Sequence, residues 1–107
     1  MKYCSLIGDA ARAHGGLVFV NDIGWIHEDG AGNRGAWWNP LEDDGDALRL
    51  AAKLEIDIYF RVVGGLSVEA LAPGCKPHRE EFGDGGSAKA TRMAIVNAAA
   101  KIGASIK

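Results

Sequence analysis

The chain has 107 residues, 48% of them hydrophobic and 24% charged, with a formal net charge of −2. That length suits a single domain with one core, and the apolar share excludes a wholly disordered chain. The densest charge run, Glu42 to Asp46, is acidic, which argues against a nucleic-acid binder, since phosphate neutralisation needs a basic patch.

In chain order, Tyr3, Leu6, Ile7, Ala10, Ala11 and His14 recur at helical spacing, so residues 3–14 are expected to form an amphipathic helix. Gly15-Gly16 stops it, because glycine accepts the left-handed conformation at helix ends. Leu17 to Val20 and Ile23 to His27 read as short strands around an Asn21-Asp22 turn. Residues 28–35 form a polar, glycine-rich loop, expected to be the most mobile part of the chain.

Trp37-Trp38-Asn39-Pro40 follows. Proline drives Asn39 out of the helical region, so a helix is expected to begin just beyond it, with Glu42, Asp43, Asp44 and Asp46 at its start. Ala47, Leu50, Ala51 and Leu54 line one face of that helix, with Leu48 on its shoulder. Ile56, Ile58, Phe60 and Val62 alternate with Asp57, Tyr59 and Arg61, the clearest strand pattern in the chain. Gly64-Gly65 supplies a hairpin turn into Leu66, Val68 and Ala70. His78 to Phe82 adds a charged strand suited to a sheet edge. A last, alanine-rich helix, capped by Ser87 or Thr91, runs to a stop at Gly103. The elements predict an α+β fold: a small antiparallel sheet of about three to four strands packed between helices, as one domain over residues 1–107.

Cys4 and Cys75 form neither a metal spacing nor a disulfide framework, and no leader pattern or membrane-length apolar run is visible. A cytosolic protein with reduced thiols is the expectation. A bridge between the two cysteines would require an oxidising compartment.

Few residue groups carry chemistry. The carboxylates of residues 42–46 lack the ordered ligand spacing of a calcium loop and read instead as acids that cap a helix start and oppose its dipole. His27, Cys75 and His78 supply too few closely spaced ligands for a zinc site, so no metal and no cofactor is expected. Gly83-Asp84-Gly85-Gly86-Ser87-Ala88-Lys89 fails the phosphate-loop pattern, in which lysine must follow glycine directly. Helix-start N–H groups near Lys89 and Arg92 remain able to hold an anion. Successive side chains on an extended segment point to opposite sides, so Trp37 and Trp38 are not both expected in one core. One packs under the following helix and the other is free to stack on a base, a cation or a partner. No nucleophile elbow, zinc-protease motif or dinucleotide fingerprint is present, so no catalytic residue is assigned.

At Trp38-Asn39-Pro40-Leu41-Glu42-Asp43-Asp44-Gly45-Asp46-Ala47-Leu48, and at Thr91-Arg92-Met93-Ala94-Ile95-Val96-Asn97-Ala98-Ala99-Ala100-Lys101-Ile102-Gly103, the chain resembles a known family. This is the phage ABA sandwich domain, found in small phage and prophage proteins including the NinX-like ones. The similarity spans roughly residues 23–103, and Asn39, Pro40, Asp43 and Asp44 carry its structural motif. It implies an α-β-α sandwich and an accessory protein in the cytoplasm of an infected host, and it brings no catalytic residues. Two functional expectations follow. The first is a non-enzymatic protein that binds a host or phage protein and alters host metabolism or defence. The second is a binder of a small anionic ligand, such as a sponge for a nucleotide immune signal. There a tryptophan, Trp37 or Trp38, stacks on the base while Arg34, Lys89 or Arg92 holds phosphate. The small residues of the last helix also allow a second copy to approach closely.

Overall fold

The computed structural model describes residues 2–20, 24–28, 34–61, 66–83 and 86–105. Its order is α1 (Lys2–His14), β1 (Leu17–Val20), β2 (Gly24–Glu28), β3 (Arg34–Trp38), α2 (Asp44–Lys53), β4 (Asp57–Arg61), β5 (Ser67–Leu71), β6 (His78–Glu81) and α3 (Gly86–Ser105). The α+β class and the antiparallel sheet packed against helices are as the periodicities imply. The described strands divide into two three-stranded meanders, β1-β2-β3 and β4-β5-β6. The sequence alone gives Trp37 and Trp38 as an extended lead into the helix. They are the end of β3, paired with Ile26 and Trp25 of β2.

The helix ends follow local chemistry. At the end of α1 the Gly15 N–H donates to the Ala11 carbonyl at 3.0 Å, and Gly15 and Gly16 take φ of 73° and 70°. Those angles suit residues without a Cβ. Helix α2 closes with a paired motif in which Glu55 N–H reaches the Ala52 carbonyl and Ile56 N–H the Ala51 carbonyl, at 3.3 and 2.9 Å. This leaves Glu55 at φ 55°, a left-handed position that usually falls to glycine.

Packing runs in series. Trp25 of the first sheet lies against α1, where a Cβ on Gly8 would sit 4.0 Å from its ring. Helix α1 packs along α3, and α3 also packs on α2 and covers β5 and β6. A helix engaged on so many sides must be apolar around its circumference. Ala90, Ala94, Ile95, Val96, Ala98, Ala99 and Ala100 of α3 are all buried. Their small size lets two helices and a sheet approach one backbone.

Two sequence expectations about α3 are corrected. Gly103 does not stop the helix, which continues to Ser105. It lies at the contact with α1, where a Cβ would fall inside the carbonyl oxygen of Asp9. The glycine serves close helix approach rather than termination. Thr91 does not cap α3 either, because it lies within the helix and its hydroxyl donates back to the Ser87 carbonyl at 2.7 Å.

In the second sheet, pairs Ile58↔Ala70 and Phe60↔Val68, then Ala70↔His78 and Val68↔Glu80, put these side chains on one face. Val68 and Ala70 are fully buried beneath α3. Tyr59, Arg61, Glu69, Arg79 and Glu81 alternate onto the other face, where Arg61 Nε donates to Glu69 Oε1 at 2.7 Å. Strand β4 is one edge of this sheet and β6 the other. No described helix is long and apolar enough to cross a membrane. The turns expected at Asn21-Asp22 and Gly64-Gly65 lie outside the described residues, as do residues 29–33 of the glycine-rich loop; Glu28, Arg34 and Gly35, expected in that loop, belong instead to the ends of β2 and β3, which pair there.

Candidate functional site

The start of α2 is held by a small polar network grown from Asn39-Pro40. The Asn39 carbonyl accepts from the Asp43 N–H at 2.8 Å and the Glu42 N–H at 3.2 Å, while its side-chain oxygen accepts from the Leu41 N–H at 3.2 Å. This is an Asx turn, the local device by which asparagine reverses a chain. Asp43 is then the N-cap, its carboxylate accepting from the Asp46 N–H at 2.7 Å. Asp46 is only 6% exposed. Its carboxylate accepts from the Asn39 N–H and from Arg49 Nη2, both at 2.9 Å, so each oxygen of the buried group has a partner. These acids are occupied in shaping the chain reversal.

Arg92 ties α3 to that reversal. Its Nε donates to the Leu41 carbonyl at 2.9 Å and its Nη1 to Asp44 Oδ1 at 2.5 Å. The guanidinium fork therefore spans the junction of α2 and α3 and is not free to clamp a phosphate.

Beside this latch lies a groove of about 280 Å³, lined by Ala47 and Leu48 of α2, Ile58 and Phe60 of β4, and Ala88 and Ile95 of α3, with the Arg92–Asp44 pair at its rim. Leu48 is 63% exposed and Phe60 59%, so two large apolar side chains flank it in contact with water. Exposed single apolar residues are ordinary; here two of them border one apolar groove. The sequence reading placed Leu48 on the shoulder of its helix and Phe60 on the core face of its strand. The periodicity does identify the face of β4, but it carries no information on how far α3 reaches across it.

The other proposed site residues are not brought together. Trp38 is 1% exposed, in the core against the His14 ring at 5.4 Å between centroids, so it is a packing residue and offers no stacking surface. Lys89 lies in a separate depression with Glu80, Glu81, Gly83, Gly86 and Met93, where two carboxylates oppose anion binding. The side chains of Arg34, Trp37 and His27 lie outside the described residues. Cys75 is a free, half-buried thiol. His78 faces Glu80, Nε2 to Oε2 at 2.5 Å. Among the described residues no three His, Cys, Asp or Glu side chains converge as a metal site.

Fold and groove together define a small α+β protein with an apolar surface groove at a helix–helix–strand junction. Comparison of the chain with protein families, with curated proteins and with solved structures finds no match.

Proposed function

We propose that this chain is a small accessory protein of the phage or prophage kind, acting in the host cytoplasm by binding a host protein to alter its metabolism or defence. The observation that carries the reading is the groove between α2, β4 and α3, with Leu48 and Phe60 exposed at its margins. Such a surface offers a partner apolar anchoring positions, and the rim pair Arg92–Asp44 offers polar definition around them. The resemblance at residues 38–48 and 91–103 supports the biological setting, and both segments border this same junction. The nucleotide-sponge alternative has less support, because Arg92 is spent on Leu41 and Asp44 and Lys89 faces Glu80 and Glu81.

The test compares wild type with Leu48→Asp in capture from host lysate. Leu48 is exposed, so the substitution leaves the fold intact. A stoichiometric partner held by wild type and lost by Leu48→Asp is the expected result. A partner held equally by both moves the interface elsewhere, and no partner at all ends the reading. Thermal shift of the purified protein by a cyclic dinucleotide would instead favour the small-ligand alternative.

A further inference from the structure

The two edges of the β4-β5-β6 sheet are built differently. An edge strand exposes unpaired N–H and C=O groups, and proteins guard such edges with charges that would be buried by another strand. Strand β6 is guarded in this way: its sequence is His78-Arg79-Glu80-Glu81, and Glu80 sits on the face that α3 covers. Strand β4 reads Asp57-Ile58-Tyr59-Phe60-Arg61, with no proline and no charge on its apolar face. Tyr59 and Phe60 are both more than half exposed, and among the described residues β5 alone pairs with β4.

The order of residues in β4 is self-complementary. Laid antiparallel against a second β4 in the register centred on Tyr59, Asp57 falls opposite Arg61, Ile58 opposite Phe60, and Tyr59 opposite Tyr59. Directly opposed residues share a face, so the apolar pairs meet on the helix-covered side and the charged pairs on the open side. Both charge pairs are attractive. Asp57 has no ion-pair partner among the described residues, and Arg61, already oriented by Glu69, is exposed on that face. A register moved by one residue would put Ile58 and Phe60 on the wrong face, and moving it by two would break both charge matches.

We propose that the edge of β4 that no described strand pairs is a homodimer seam, joining two copies of this chain into one continuous six-stranded antiparallel sheet about a two-fold axis through Tyr59. The axis stands perpendicular to the sheet, so the helices of both copies lie on one face. On the helix-covered face each Phe60 packs beside Ile58 of the second copy, so the seam covers the Phe60 margin of the groove and leaves Leu48 exposed. This assembly does not depend on what the groove binds, and its test needs only the purified protein.

Sedimentation and native mass spectrometry of wild type should give twice the chain mass of 11.3 kDa. Asp57→Arg opposes two arginine pairs across the seam and should weaken the dimer at least about tenfold. Arg61→Asp should do the same with carboxylates. An equimolar mixture of the two single variants regenerates both attractive pairs, so it should recover a mixed dimer that neither variant forms alone. Asp57 is an exposed residue at a strand end, so its variant folds and decides the matter even if Arg61→Asp, which sets a carboxylate beside Glu69, does not. A monomeric wild type at its highest soluble concentration overturns the proposal, even if β4 then takes a strand from another protein. A dimer indifferent to Asp57→Arg overturns it equally.

Discussion

At the residue scale, three positions have backbone or hydroxyl environments that make opposite demands on substitution. Gly103 faces the Asp9 carbonyl at the α1–α3 contact. Alanine is the better helix former by about 0.5–1 kcal/mol. The added Cβ, however, meets rigid backbone, and forcing two packed helices apart costs about 1–3 kcal/mol. The clash wins, so Gly103→Ala should lower the thermal midpoint by several degrees, whereas Gly83→Ala, with open space around it, should not. Glu55 carries the reverse expectation. It holds the left-handed position closing α2, a conformation costing a non-glycine residue about 1–2 kcal/mol. Part of that gain is lost to the flexibility of glycine in the unfolded chain. Glu55→Gly should still raise stability by about 0.5–1 kcal/mol in urea unfolding. Ser67 is fully buried, and its hydroxyl finds no partner among the described residues. Removing an unpaired buried hydroxyl relieves its desolvation, so Ser67→Ala should be neutral or stabilising by about 1 kcal/mol, read as an unchanged or raised midpoint.

At the element scale, the junction of α2 with α3 decides whether the groove exists. Two contacts of Arg92 hold it, and they differ in worth. Asp44 is 74% exposed at its side chain, so the ion pair is weakened by water, while the Leu41 carbonyl receives a charge-assisted bond from an Arg92 side chain only 19% exposed. Asp44→Asn should therefore cost less than about 1 kcal/mol and Arg92→Ala about 1.5–3 kcal/mol in chemical denaturation. Equal costs would mean that the ion pair, and not the carbonyl contact, holds the helices together. Both the cap and the turn of α2 are local, made within residues 39–46, and the sequence shows them as Asn-Pro followed by spaced acids. The latch from Arg92 to the Leu41 carbonyl joins positions 51 residues apart, and no pattern in the chain announces it.

At the scale of the whole molecule, the core is unusual for how much of it is alanine. Ala10 and Ala11 of α1, Ala47 and Ala51 of α2, Ala70 and Ala72 by the sheet, and Ala90, Ala94, Ala98 and Ala99 of α3 form one cluster around Trp38, Leu50, Ile95 and Val68. Small side chains permit short distances between elements but leave no room to absorb extra volume. Ala94→Leu, at a fully buried position, should destabilise by about 1–3 kcal/mol with an unchanged denaturant slope. Leu50→Ala, which empties one of the few large sites, should cost about 2–5 kcal/mol.

The sequence by itself determined the local grammar of this protein. Helix α1 with its Gly15-Gly16 end, the alternation of β4 and β5, the charged edge β6 and the acid-rich start of α2 each depend on residues within a few positions of one another. Only the tertiary structure decided the rest. It sorted the strands into two meanders, gave Gly103 to helix contact, and put Trp38 in the core. It also left Leu48 and Phe60 exposed at a groove that their apolar character alone would have assigned to the interior. The physical reason is common to all four. Periodicity states which side of an element is apolar, but how much of that side is covered depends on elements distant in the chain and on how closely alanine and glycine let them approach.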